Sequence, residues 1–259
     1  MKKMIALLLA MILMLTCFTA CGAKNDSDLA AIKKAGKIVV GITDYAPMDY
    51  KDENGEWTGF DAEFARLFAG ELGVDCEFFV IPNWGTKFME LETKQIDAVW
   101  NGMTITEEAE LNSNVSDPYV INAQAVVMNA AVVDNYEAAS NLAGLNIAVE
   151  SGSAGESCAM EIDGANVVPL QNQEAALMEV AAGTSDACVI DITMANAMTG
   201  AGTSYADLTY KLSLSEELYG VSFRKESDLT AAFNDFMAEL KADGTLDALA
   251  AKYNLTLAN

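Results

Sequence analysis

The stretch DAVWNGMTITEEAELNSNVSDPY, from Asp97 to Tyr119, carries most of the information on how this chain folds. It begins with the apolar run Ala98-Val99-Trp100 and passes directly into Asn101-Gly102-Met103-Thr104. These four residues offer backbone groups, an amide and a hydroxyl at the carboxyl end of a strand, where open α/β sheets bind ligands. A short acidic helix follows and ends before Pro118, which cannot continue it. The stretch therefore predicts a ligand site at the edge of an α/β sheet.

Strand-like and helix-like runs alternate on both sides of this stretch. Short apolar runs at 38–42, 78–81 and 96–100 are typical of strands. A helical stripe lies between the first two, with Gly73 just beyond it. The stripe consists of Phe60, Phe64, Leu67, Phe68 and Leu72. The alternation predicts an α/β fold with mainly parallel strands.

The second half of the chain repeats the same order. Strand-like runs at 147–149 and 167–170 are followed by an alanine-rich helical run at 174–182. The segments 89–99 and 178–188 each pass from a helix end through a polar turn and an Asp-Ala pair into a strand. This repetition predicts two similar lobes, and the cleft between them is the expected binding site.

Residues 1–20 have the pattern of a secretory signal. Lys2 and Lys3 precede an apolar run, and Thr19-Ala20 stands directly before Cys21. We expect Cys21 to be the lipidated first residue of the mature protein, and residues 21–36 to form the lipidated N-terminus and its tether. The protein would then be held at the outer face of the cell membrane, or in the periplasm, through lipid alone. The alternative is ordinary signal cleavage and release.

Charge and composition exclude several classes of function. The chain has 15 basic and 38 acidic residues, and removal of Lys2 and Lys3 leaves 13 basic residues and a net charge of −25. Such a surface repels nucleic acids and anionic lipid headgroups. The absence of histidine removes the commonest general base and transition-metal ligand.

The remaining polar motifs do not predict a metal or a cofactor. Cys76, Cys158 and Cys188 lack zinc spacing, and we expect small buried thiols, although one disulfide with a free thiol stays open. The segment 49–55 resembles a calcium loop, but its twelfth position is Phe60 rather than Glu, which favours a hairpin turn.

An ordered set of motifs resembles one protein family over nearly the whole mature chain. The set comprises Gly59-Phe60-Asp61, Trp84, Gly102 to Thr106, Ser116 to Tyr119 and Asp243-Gly244-Thr245 with Lys252-Tyr253 downstream. It is similar to the extracellular solute-binding protein family 3, the amino-acid-binding lipoproteins of bacterial ABC importers. The resemblance implies a type II periplasmic-binding-protein fold, in which two hinge strands join two α/β lobes. It places the first lobe at 37–121 and 216–259 and the inserted second lobe at 122–215.

The resemblance also implies a set of ligand-binding residues. Tyr45 and Trp84 would cover the ligand, and Asp191 would accept a bond from its ammonium group. Backbone and side-chain groups of both lobes would complete the pocket: Asn101, Gly102 and Thr104 from the first, and Gly152, Ser153 and Ala154 from the second. Structural alternatives are core packing for the two aromatic residues, a capping box of Thr104 with Glu107, and an N-cap for Asp191.

One family residue is missing. The family commonly grips the ligand carboxylate with an arginine on the helix after Thr-Ile-Thr, but this chain has Ala109 there. Its two arginines, Arg66 and Arg224, fall outside the cleft positions, and Glu150 stands where some relatives carry lysine. One hypothesis is a cationic ligand with a weak carboxylate requirement. The other is an ordinary amino acid held by amides of the second lobe, Thr104 and water.

The expected function is ligand capture for an ABC importer, with a membrane permease as partner and a monomeric binding protein. An enzyme is not expected, because Glu150 and Asp191 have no histidine, arginine or evident lysine beside them in the sequence. A dehydratase on the same fold and a tethered ligand sensor are the alternatives.

Overall fold

A computed structural model describes residues 27–259, so the predicted signal peptide and the predicted lipidation site Cys21 lie outside the described part. The strands in that part form two five-stranded sheets and one hairpin. They are β1 (Lys37–Ile42), β2 (Tyr50–Lys51), β3 (Trp57–Thr58), β4 (Asp75–Val80), β5 (Ala98–Val99), β6 (Asn114–Val115), β7 (Val120–Asn129), β8 (Asn146–Glu150), β9 (Asn166–Leu170), β10 (Ala187–Asp191), β11 (Leu208–Tyr219) and β12 (Ser222–Phe223).

The α-helices of residues 27–259 pack on these sheets. They are α1 (Asp28–Ala35), α2 (Phe60–Leu72), α3 (Lys87–Glu92), α4 (Glu107–Asn112), α5 (Ala154–Met160), α6 (Gln173–Ala182), α7 (Ile192–Met198), α8 (Leu229–Ala242) and α9 (Thr245–Lys252). Short 3₁₀ turns occupy Trp84–Thr86, Val133–Asn135 and Ala139–Leu142.

Each large sheet forms the centre of one lobe, which confirms the predicted class of two α/β lobes. The first sheet has the order β4-β1-β5-β12-β6, and the second has the order β11-β7-β10-β8-β9. Strands β1, β4 and β5 pair in parallel, as do β8, β9 and β10. The prediction of mainly parallel strands is wrong for β6, β7, β11 and β12, which pair antiparallel. A helical crossover is needed only between parallel neighbours, so the other strands are free to run in the opposite direction.

Two long strands connect the lobes. β7 and β11 pair antiparallel from Val120↔Tyr219 to Asn129↔Leu208, with two bulges. At the first lobe, Ile121 N donates to Thr256 O at 2.9 Å, and Thr104 forms a bridge with Tyr219. These are the hinge strands of the fold. The boundaries 37–121, 122–215 and 216–259 stay a prediction.

Aromatic side chains fill the core of the first lobe. The predicted stripe lies on α2, where Phe60, Phe64 and Phe68 are fully buried and Leu67 is 41% exposed. Trp100 is fully buried, with its ring centroid 5.0 Å from that of Phe64. Removing a core aromatic of this kind costs about 3–5 kcal/mol of folding free energy. The core therefore fixes the end of β5, where the site begins.

Two smaller predictions concern the thiols and the hairpin. Cys76, Cys158 and Cys188 are free, and only Cys188 is fully buried. β2 and β3 form a hairpin whose turn is held by Asp52, and the hairpin prediction is confirmed. Within residues 27–259, no helix has the length and apolar character that a membrane crossing requires. No group of three or more acidic or cysteine side chains in that range is arranged for a metal.

Candidate functional site

The cleft between the lobes contains a cavity of about 130 Å³ at the carboxyl ends of β5, β8 and β10. Each water molecule takes about 30 Å³ of liquid volume, so the cavity has room for several. The nine predicted ligand-binding residues all line it: Tyr45, Trp84, Asn101, Gly102, Thr104, Gly152, Ser153, Ala154 and Asp191. Their contact with a ligand stays a prediction, but the fold brings every one of them to the same place.

Tyr45 forms one wall of the cavity and is buried. Its hydroxyl lies 2.5 Å from Thr193 Oγ1 and 2.5 Å from the Tyr219 hydroxyl. Gly102 packs on the ring with a φ of +53°, and a Cβ there would lie 2.6 Å from Tyr45 Cε1. Only glycine fits this approach. Burial and the charge of Asp191 raise the pKa of the Tyr45 phenol well above its ordinary value, so it stays a neutral hydrogen-bonding group.

Asn101 is turned into the first lobe. Its Oδ1 accepts from Thr43 N at 3.0 Å, and its Nδ2 donates to Asp49 Oδ2 at 2.7 Å. The Gly102 N–H in turn donates to Asp61 Oδ2 at 2.5 Å. Asp61 belongs to the Gly59-Phe60-Asp61 motif, and its role in holding this loop was not predicted from the sequence. These bonds hold the loop after β5 in shape, so ligand contact by Asn101 rests on the resemblance alone.

Thr104 does not cap the acidic helix. α4 begins at Glu107, which makes Thr106 the N-cap, and Thr106 Oγ1 accepts from Ala109 N at 3.1 Å. The predicted capping box of Thr104 with Glu107 is therefore wrong, because the helix begins two residues later than that box requires. Thr104 Oγ1 instead donates to Glu217 Oε1 at 2.9 Å. Because Glu217 lies on β11, this bond joins the first lobe to a hinge strand.

The loop of the second lobe already uses part of its polar backbone. Gly152 N donates to Glu156 Oε2 at 2.7 Å, and Ser153 N donates to Glu150 O at 3.2 Å. Ser153 is the N-cap of α5 and accepts from Glu156 N at 3.1 Å. Ala154 begins the helix, so its own N–H has no acceptor inside α5. Two of the three amides expected to meet an anion are thus bonded within the loop.

Asp191 lies at the centre of an amide network. It is 5% exposed, and its Oδ1 accepts from Asn122 Nδ2 at 2.5 Å and from Gln124 Nε2 at 2.7 Å. Its Oδ2 accepts from Gln173 Nε2. Asp191 occupies the N-cap position of α7, as the structural alternative predicts, but its side chain makes no capping bond and turns to the amide network instead. Sequence reasoning missed the three amides because they come from β7 and α6, which are distant in sequence from Asp191.

A second carboxyl group shares these donors. Glu217 Oε1 accepts from the same Nδ2 of Asn122 at 2.6 Å and the same Nε2 of Gln124 at 2.7 Å. Desolvation, followed by the charge of Asp191, raises the pKa of Glu217 to about 8. A second carboxylate beside Asp191 is unfavourable, so Glu217 holds its proton at neutral pH.

Glu150 is the most isolated acid of the cavity. It is 4% exposed, and its Oε1 has no hydrogen-bond partner within residues 27–259. Burial, followed by the charge of Asp191, raises its pKa to about 8, while Lys87 and Gln173 oppose the shift. The cavity therefore holds carboxyl groups that a cation would ionise.

Lys87 corrects the expectation that no lysine accompanies Glu150 and Asp191. It lies in the first turn of α3, lines the cavity and is 6% exposed. Its Nζ donates to Gly152 O at 3.2 Å and to Trp84 O at 3.4 Å. Its position three residues after Trp84 puts both on one helical face, a spacing that was available in the sequence.

The two arginines lie away from the cavity, in agreement with the sequence argument. Arg66 Nη2 donates to Trp57 O at 2.6 Å. Arg224 Nε lies 3.1 Å from Asp28, and its Nη2 lies 2.9 Å from Asp97. Ala109 is buried in a small apolar cluster and does not line the cavity. The position of the missing arginine is thus occupied by a packed methyl group.

Two α/β lobes whose polar groups face one cleft define the chain as a two-lobed ligand-binding protein. The family described as bacterial extracellular solute-binding proteins, family 3, matches residues 38–256, and the chain belongs to this family.

Three known proteins illustrate the relationship. The chain is 30% identical over 242 residues to the lysine/arginine/ornithine-binding periplasmic protein of Escherichia coli K12, covering 88% of this chain and 90% of that protein. It is 28% identical over 232 residues to the L-cystine-binding protein TcyJ of the same strain, with 88% and 86% covered. A crystal structure of a mutant of ArgBP from T. maritima matches with a TM-score of 0.82 at 33% identity, over 87% of this chain and 98% of that one. All three are named as binding proteins.

Proposed function

We propose that this protein captures a cationic amino acid and delivers it to the permease of an ABC importer. The observation that carries the proposal is the acidic character of the cavity. Asp191 and Glu150 line it in buried positions, and Glu217 shares the amide donors of Asp191. Buried carboxyl groups are stable when they are paired, and an ammonium or guanidinium group is a suitable partner.

One of the relatives supports this class of ligand. One is named for lysine, arginine and ornithine. The relative named for L-cystine indicates that a neutral amino acid is the main competitor. The acids that line the cavity, Asp191, Glu150 and Glu108, outnumber the lysine there, Lys87, and Ala109 adds no cation, so the charge balance favours a positively charged ligand.

The residues have distinct roles in the proposal. Asp191 orients an ammonium group of the ligand, because its Asn122 and Gln124 bonds fix the direction of its oxygens. Tyr45 and Trp84 cover the ligand with aromatic faces, which also attract cations. The Gly102 carbonyl and the Ala154 N–H, which has no acceptor inside α5, complete the contacts.

Capture proceeds by closure of the lobes about β7 and β11, which buries the ligand. We propose that the protein acts as a monomer, exported by its signal and anchored through lipid on Cys21, which raises its concentration near the permease. The ligand would be released unchanged, since the protein is proposed to bind and not to catalyse. Recovery of intact amino acid after prolonged incubation tests that part against the dehydratase alternative.

A thermal-shift panel on the full chain tests the ligand class. L-arginine, L-lysine and L-ornithine are compared with L-glutamate and L-glutamine. At one hundred times its dissociation constant, a ligand adds about 2.7 kcal/mol to the free energy of unfolding. For a chain of this size that corresponds to roughly 5–11 °C in Tm.

Asp191→Asn is expected to remove most of the shift, and Asp163→Asn, at an exposed site, is the matched control. A charged hydrogen bond of this kind contributes about 1.5–3 kcal/mol. A shift with glutamate and none with the three cationic amino acids would refute the proposal.

A further inference from the structure

We propose that Lys87 binds the carboxylate of the ligand, the role for which this chain has no arginine. The assignment deepens the proposed function and rests on it. It makes Lys87 a specificity residue that separates an amino acid from the corresponding decarboxylated amine.

The surroundings of Lys87 point its charge into the cavity. Its Nζ lies 5.2 Å from the ring centroid of Trp84 and 4.8 Å from that of Phe88, so aromatic faces flank the ammonium group. The ammonium group then lies at the cavity wall and reaches Gly152 O on the opposite lobe. A rigid apolar support of this kind limits the positions that the charge can occupy.

The contacts of this ammonium group are weak for a buried charge. Both of its bonds go to neutral carbonyl oxygens, at 3.2 and 3.4 Å, and within residues 27–259 no carboxylate lies within 4.0 Å of it. An ammonium group has three N–H donors, so one remains for a ligand. A buried ammonium without a close counter-ion is unfavourable, and an incoming carboxylate supplies that counter-ion.

Charges around Lys87 are consistent with this role. Desolvation lowers the pKa of its ammonium group, and the more distant charges of Glu108 and Glu150 only partly oppose that effect. The Asp191 network makes no bond to Lys87. The cavity therefore offers two separate sites, one for the cationic and one for the anionic group of an amino acid.

The test compares amino acids with their decarboxylated analogues by isothermal titration calorimetry on the full chain. L-arginine is paired with agmatine, and L-lysine with cadaverine. The unmodified protein is expected to prefer the amino acid by about tenfold to a hundredfold, the range for one charged hydrogen bond. Lys87→Met should lose that preference by weakening the amino acid alone. Lys87→Arg should keep it, and Lys33→Met, an exposed change on α1, should leave it unaltered.

Four results would overturn the assignment, and the last of them also refutes the proposed function. Equal affinity of the unmodified protein for both members of each pair means that no carboxylate is recognised. An unchanged preference in Lys87→Met means that another group binds the carboxylate. Equal losses for both ligands in Lys87→Met and Lys87→Arg mean that Lys87 only supports the fold. Binding of neither ligand by the unmodified protein refutes the proposed function itself, and the assignment with it.

Discussion

Glu150→Gln is expected to lower the number of protons released on ligand binding by almost one. Glu150 has a pKa of about 8 in the empty cavity, against an ordinary value of 4.5. At pH 7 a group with that pKa is about 90% protonated, and a cation beside it restores the ionised form. Binding should therefore release about 0.9 proton from Glu150, and a similar amount from Glu217 if both ionise.

The sign of the pH effect follows from the raised pKa. A carboxyl group that must ionise for binding makes affinity rise with pH, and one with a pKa of 8 weakens affinity about fiftyfold at pH 6 relative to pH 8. In the absence of ligand the direction is opposite. The folded chain keeps a proton that the unfolded chain loses above about pH 4.5, so stability falls as the pH rises from about 4.5 to about 8.

The assay is calorimetry with L-arginine at pH 7 in two buffers of different ionisation enthalpy. The difference between the two apparent enthalpies counts the released protons for the unmodified protein and for Glu150→Gln. Exposed Glu161→Gln is the matched control. A flat affinity between pH 6 and pH 8, or an identical proton count in Glu150→Gln, would refute the argument.

Two substitutions test closure and the support of the site. Gly152 has a φ of +76°, and a Cβ there would lie 2.5 Å from Gly85 Cα across the cleft. Gly152→Ala should therefore obstruct closure of the lobes and weaken ligand binding at least tenfold, as measured by calorimetry. The control Gly144→Ala, also at positive φ but facing open space, should bind normally. Arg224 pairs with Asp28 and Asp97 in largely buried positions. Arg224→Met should lower the free energy of unfolding, measured in urea, by about 3–5 kcal/mol without a change in ligand preference. An unfolding midpoint equal to that of the unmodified protein would contradict this reasoning.

The sequence was sufficient wherever local pattern determines structure. The spacing of Phe60, Phe64 and Phe68 predicts the buried face of α2, because apolar residues at helical intervals must face the core. The alternation of strands and helices predicts two α/β lobes. Motif order was enough to select nine residues that the fold brings around one cavity.

Sequence was insufficient where a contact joins distant segments. Asn122 and Gln124 reach Asp191 from β7 and Gln173 reaches it from α6, and no local spacing indicates that they meet Asp191. The direction of β7 and β11 depends on tertiary pairing in the same way. Lys87 is a different case, because its spacing from Trp84 was visible, but an isolated lysine in an acidic chain is usually solvated.

The position of Asn122 and Gln124 on β7 couples two properties that an engineer would prefer to adjust separately. Both residues bond the acids proposed to select the ligand, and both lie on one of the two strands that connect the lobes. We therefore expect a substitution at either position to change both ligand choice and the rate of opening, and with it the dwell time of the ligand. A biosensor built on this chain would have its selectivity and its response time set by the same two amides.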